Sequence, residues 1–125
     1  MSGNKRGFTL IELLVVMSII GMLLTIAVPR YFKSLERSKE AVLRQDLSVL
    51  RDAIDKFGAD RGKHAETLTD LVSNGYVRKI PEDPFTRSTD AWITVASQDA
   101  DDPGIIDVRS GAKGNALDGS AYAEW

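Results

Sequence analysis

Cysteine is absent from the 125 residues, so no disulfide can staple the fold. This does not exclude an exported location, since cysteine-free exported domains exist. Histidine occurs once, at His64. One His in a polar connector, without Cys or a second His, makes neither a catalytic triad nor a transition-metal site, and reads as solvated. Neither sign of charge is in excess: 16 Lys and Arg face 18 Asp and Glu, a net charge of -2. Nothing there points to nucleic acid or another strongly charged partner. There is no internal repeat and no low-complexity tract. Gly111, Gly114 and Gly119 lack the Lys-Ser/Thr pair and the strand-to-helix setting of a phosphate loop. No constellation of residues suggests an enzyme.

One stretch near the start organises the rest. Gly7-Phe8-Thr9-Leu10-Ile11-Glu12 leads into an apolar run, and no charge falls between Leu13 and Val28. As a helix, residues 8–28 run about 31 Å at ~1.5 Å per residue, the thickness of a bilayer's hydrocarbon core. Glu12 is the anomaly, because an acidic residue at membrane depth costs roughly 2.5–3.5 kcal/mol at the centre and usually has a partner. Lys5 and Arg6 precede the run and hold this end in the cytoplasm by the positive-inside rule, placing residues after Val28 across the membrane. An ordinary secretory signal peptide fits poorly: the run is longer than its apolar region, no A-x-A site follows, and Glu12 would be out of place. Ser18 and Thr25 are expected to bond their own helix carbonyls. Gly21 is read either as a softening point or as a helix-packing residue.

Pro29 kinks but need not end the helix. Beyond it Leu43, Leu47, Leu50, Ile54 and Phe57 recur at helical spacing, and Leu35 and Val42 are read as extending that stripe. Glu40→Arg44 and Asp52→Lys56 are expected i,i+4 ion pairs. Gly58 and Gly62 are plausible stops, so residues 8–57 form a helix of roughly 75 Å at ~1.5 Å per residue. A small domain does not need that length; half of it belongs in lipid or against other subunits. The remaining half of the chain is short for an independent core and calls for a staple or a neighbour.

After a polar connector, Thr67 as N-cap, Asp70 at N3 and Gly75 at C′ define a short helix with Leu68, Leu71 and Val72 facing inward. Tyr76 to Phe85 holds two prolines and is an irregular extended loop, in which Asp83 is read as a loop-stabilising acceptor rather than a surface charge. Residues 92–96 and 105–108 read as strands, separated by an acidic turn at 98–104 whose Asp99, Asp101 and Asp102 are solvated. Residues 110–119 form a Gly-rich loop, and 120–125 a last strand or an ordered tail. Trp92 and Trp125 are anchors of core and tail. The fold class is α+β: one long N-terminal helix, its N-terminal half transmembrane, packed on a small C-terminal antiparallel sheet.

The motif Gly7-Phe8-Thr9-Leu10-Ile11-Glu12-Leu13-Leu14-Val15-Val16, behind a basic leader, closely resembles the processing signal of type IV pilins and type II secretion pseudopilins. Gly75-Tyr76, followed by Pro81-Glu82-Asp83-Pro84-Phe85, is similar to the loop of the major pseudopilins, the general secretion pathway protein G family. The resemblance implies a pilin-like fold and a division into a leader removed by prepilin peptidase (1–7), a transmembrane and assembly helix (8–28), its amphipathic continuation (29–60) and a small periplasmic part (61–125). It also implies cleavage after Gly7 and N-methylation of Phe8, with Glu12 and Pro29 serving assembly. The expected location is the bacterial inner membrane, single-pass, N-terminus cytoplasmic, with later extraction into a periplasmic filament. The implied partners are copies of itself, minor pseudopilins, an inner-membrane assembly platform, prepilin peptidase and the lipid bilayer. The family's C-terminal loop binds calcium. Here the corresponding 110–120 carries one acid, Asp118, a poor match to an ion that takes six to eight oxygen ligands. Asp99, Asp101 and Asp102 contribute only if their loop folds toward it. No other cofactor is expected.

The function so implied is a structural subunit that polymerises into the pseudopilus and drives export of folded proteins across the outer membrane. A type IV pilin of a surface fibre is the alternative, disfavoured by the Pro81–Pro84 loop and the missing cysteine pair. A signal-anchored periplasmic binding module is the third, disfavoured by Glu12 and the long helix.

Overall fold

The computed structural model describes residues 7–125. Helix α1 spans Leu10–Arg61, α2 spans Leu68–Ser73, and β1 (Ile93–Ala96) pairs with β2 (Ile105–Arg109). A 3-10 turn at Tyr122–Glu124 follows, where the sequence left a strand or a tail open. This is the expected α+β arrangement. The chain divides into two compact units, residues 1–35 and 36–125.

In the first unit α1 starts at Leu10. Thr9 caps it by accepting the Glu12 N–H at 3.2 Å, so Thr9-Leu10-Ile11-Glu12 is a capping-box sequence with the acid at N3. Ser18 and Thr25 donate to the carbonyls of Leu14 and Gly21, as expected. The helix continues through Pro29, which has no N–H to offer the Thr25 carbonyl. By length and composition α1 contains a segment able to cross a membrane, and none of that segment is buried within the protein.

In the second unit, Leu43, Leu47, Leu50, Ala53, Ile54 and Phe57 form the buried face of α1. They pack with Ala65, Leu71, Trp92, Ile105, Val108, Ala112, Ala116 and Tyr122. Leu35 and Val42 do not continue this face; they are 40% and 48% exposed. At about 100° per residue, Val42 points roughly 100° away from Leu43, which takes it off the stripe, whereas Leu35 shares the azimuth of buried Ala53 but falls in the first unit, ahead of the first core residue.

Helix α2 has the expected capping box between Thr67 and Asp70, and Gly75 follows with φ +80°. The strands are antiparallel, with Ile93 opposite Arg109 and Val95 opposite Asp107; a register shift after Val95 leaves Ile106 without a partner. Two glycines permit close backbone approaches: a Cβ on Gly104 would lie 2.6 Å from the His64 carbonyl oxygen, and one on Gly111 would lie 2.1 Å from that of Ala91.

Two substitutions separate the buried face from its neighbour. Leu50→Ala should cost about 2–5 kcal/mol, whereas Val42→Ala should stay within about 0.5 kcal/mol. Thermal unfolding of the full chain in detergent measures both. Equal losses would put Val42 in the core.

Candidate functional site

Within the first unit, Gly7, Phe8, Glu12 and Pro29 are all exposed, Phe8 to 80%. Phe8, Ile11, Glu12, Val15 and Val16 line one apolar groove along the helix surface, so among the described residues Glu12 is the one carboxylate lining it. Large side chains from Leu10 to Val28 are open to the surroundings around the whole circumference. Such a surface is stable only in lipid or against another protein surface. The leader residues 1–6, with Lys5 and Arg6, lie outside the described residues.

In the second unit the Pro81–Pro84 loop is built around Asp83, which is fully buried. Its Oδ1 accepts the N–H groups of Phe85 at 2.8 Å and Thr86 at 3.3 Å, and its Oδ2 accepts the Ser110 hydroxyl. Asp83 is thus the loop-stabilising acceptor expected. Trp92 donates to the Pro81 carbonyl at 2.8 Å and closes the loop's other side. Asp46, half-buried on α1, has its pKa raised by burial and then by the negative charge of Asp83.

His64 is not simply solvated. Its backbone N–H meets Asp102 Oδ1 at 2.9 Å, and its Nδ1 lies 2.7 Å from Oδ2. These two contacts hold the Asp102 carboxyl below its usual pKa. Asp102 therefore ties the acidic turn to the end of α1, and does not lie free in solvent as the sequence suggested. Asp99 accepts the Asp101 N–H and stays exposed.

The expected Glu40–Arg44 ion pair is also replaced. Glu40 Oε1 accepts the Leu117 N–H at 2.8 Å and the Tyr122 hydroxyl at 3.0 Å. Arg44 lies 4.3 Å over the Trp125 ring. Arg51, unassigned in the sequence beyond the polar face, bonds Asp107 Oδ1 at 2.9 Å and the carbonyls of Val108 and Trp125. Asp52 and Lys56 form no ion pair among the described residues. Glu40, Arg44 and Arg51 are spaced by four and seven, one stripe of a helix, and that spacing was the available signal that a segment lies along it.

The prokaryotic N-terminal methylation motif family matches residues 2–28. The type II secretion system core protein G of Klebsiella pneumoniae is 32% identical over 98 residues, covering 66% of this chain and 70% of that protein. Its namesake in Escherichia coli K12 is 31% identical over 98 residues, covering 66% and 68%. The chain belongs to the type II secretion system core protein G family. The type IV major pilin protein PilA of Myxococcus xanthus is 36% identical, but over 68 residues that cover 54% of this chain and 31% of the pilin. No solved structure matches. The apolar helix and the methylation motif fit a membrane-anchored pseudopilin.

The calcium expected of this family does not fit the residues present. Asp118 Oδ1 accepts the Ser120 N–H at 2.9 Å and the Ser120 hydroxyl at 2.6 Å, which lowers its pKa. Among the described residues, no group of three or more His, Asp or Glu is placed to hold a metal ion. Asp102 is paired with His64, and among the described residues no such group includes Asp99 or Asp101.

The carboxylates give opposite pH signatures. Asp46, its folded pKa raised, costs stability at neutral pH, and the cost disappears on acidification. Asp102 and Asp118, their folded pKa values lowered, contribute stability above the unfolded value of about 3.9 that is lost as pH falls below it. Asp46→Asn should therefore raise the melting temperature at pH 7, with the gain shrinking toward pH 4. A loss at pH 7 would mean that Asp46 makes a favourable contact as an anion.

Proposed function

We propose that this protein is a structural subunit of the pseudopilus of a type II secretion system and has no enzymatic activity. Its assembly into a filament would drive export of folded proteins across the outer membrane. The observation that carries this reading is the open, uncharged surface of α1 from Leu13 to Val28, with Glu12 alone at its edge. The same side chains are satisfied by acyl chains in a membrane and by neighbouring helices in a filament, so the segment has two acceptable environments. The pilin match stops at about half of this chain, whereas the pseudopilin matches extend over about two thirds, which favours pseudopilus over surface fibre.

Processing follows the motif. Prepilin peptidase cuts after Gly7 and methylates the amine of Phe8, removing Lys5 and Arg6 and leaving one positive charge at the end of an apolar helix. The chain then stands in the inner membrane, N-terminus cytoplasmic and residues after Val28 periplasmic. The amine of one copy pairs with Glu12 of the next along a staggered filament. Either charge left unpaired in that setting costs roughly 3–5 kcal/mol. Pro29 is the place where α1 adjusts between bilayer and filament. Minor pseudopilins and an inner-membrane platform complete the assembly.

Glu12→Ala should be processed at Gly7 normally, yet its crosslinked oligomers should fall by at least about tenfold, since ~1.4 kcal/mol is a factor of ten. Immunoblots for leader removal and crosslinking measure the two steps separately. Wild-type oligomer levels with normal processing would remove Glu12 from the assembly mechanism.

A further inference from the structure

We infer that the C-terminal segment of this protein is fastened to its helix by a side-chain clasp that works without a metal ion. Three residues of α1 hold it. Glu40 grips Leu117 and Tyr122 through one oxygen. Arg44 covers the Trp125 ring. Arg51 bridges Asp107 of β2, the Val108 carbonyl and the Trp125 carbonyl. The segment also closes on itself: Trp125 Nε1 donates to Ser120 Oγ at 2.8 Å, and Ser120 in turn donates to Asp118. Tyr122 is stacked on Phe85 at 4.2 Å and meets Trp125 edge-on at 5.2 Å. Its N–H donates to the Gly114 carbonyl, and Asn115 bridges to Ala121.

This network already engages one oxygen of each of three carboxylates beside the segment, and among the described residues no three acids converge on a cation position. Glu40 is engaged by an N–H and a hydroxyl, Asp107 by a guanidinium and an N–H, and Asp118 by Ser120. Glu124 is the remaining acid of the segment and stands exposed in the 3-10 turn. The positive charge of Arg44 already acts on Asp118 and would repel a divalent ion placed there. Tyr122 keeps its proton, its pKa pushed up to about 12 by burial first and by Glu40 second, so its hydroxyl remains a donor to Glu40 across the physiological range. The clasp thus joins residues 56 to 82 positions apart, the closure a structural ion provides elsewhere.

The test uses the full chain in detergent micelles. Thermal unfolding is followed by tryptophan fluorescence in excess EGTA and in millimolar calcium, and terbium luminescence sensitised by Trp125 probes the segment for a cation. The expected melting curves coincide within about 1 °C, without calcium-displaceable terbium signal, because a ligand well above its dissociation constant shifts a domain of this size by several degrees. Arg51→Ala and Arg44→Ala should lower the melting temperature equally in both media and speed proteolytic cleavage after residue 110. Arg44→Ala loses the ring contact and the attraction to Asp118 but no hydrogen bond of the clasp, and remains informative if Arg51→Ala does not fold. A larger calcium-dependent rise or a displaceable terbium signal in the unaltered protein, rescue of Arg51→Ala by calcium, or unchanged protection in Arg44→Ala would each overturn the inference.

Discussion

A helix whose apolar side chains face outward in every direction cannot exist alone in water, and that constraint governs this protein. From Leu13 to Val28 α1 has no polar face to offer solvent beyond Ser18 and Thr25, whose hydroxyls are turned back onto their own helix. The segment must be covered, by lipid or by another protein surface. Burial at about 25 cal/mol per Å² is similar in both settings, so the apolar surface alone favours neither strongly. In the proposed assembly, Glu12 breaks the balance. It sits at the N3 position of a capped first turn, where a negative charge also suits the helix dipole. A carboxylate there is tolerable near the membrane edge and specific where it meets an amine.

The second unit solves a different problem. It is small and has no disulfide, and its sheet has two strands. Its core is one face of α1 covered by α2, the sheet and the C-terminal segment. Polar ties then fix what the core cannot. Asp83 organises the loop over the core, His64–Asp102 pins the acidic turn, and Glu40 with Arg51 holds the C-terminal segment. Each tie satisfies backbone N–H or carbonyl groups that a short irregular loop would otherwise leave to water.

What could be read in the sequence was local. The stripe Leu43, Leu47, Leu50, Ile54, Phe57 repeats within four residues, and Thr67, Asp70 and Gly75 mark their helix by rules acting over one turn. The processing motif is contiguous. Leu35 and Val42 went astray because a linear reading shows neither that Val42 lies about 100° from the stripe nor that the core begins only at Leu43. Thr9 as a cap was hidden by the apolar run around it. His64–Asp102 and the Glu40 and Arg51 contacts span 38 to 82 residues, and no local rule links them. Their helix side was visible in the spacing of 40, 44 and 51; their partners were not.

The proposed role of this chain is to build the filament on which secretion depends. It is tested most directly by the culture-supernatant protein profile of a strain lacking the gene, beside the same strain carrying it on a plasmid. Secreted proteins should disappear from the medium, accumulate in the periplasm, and return to the medium on complementation. An unchanged profile would contradict the account.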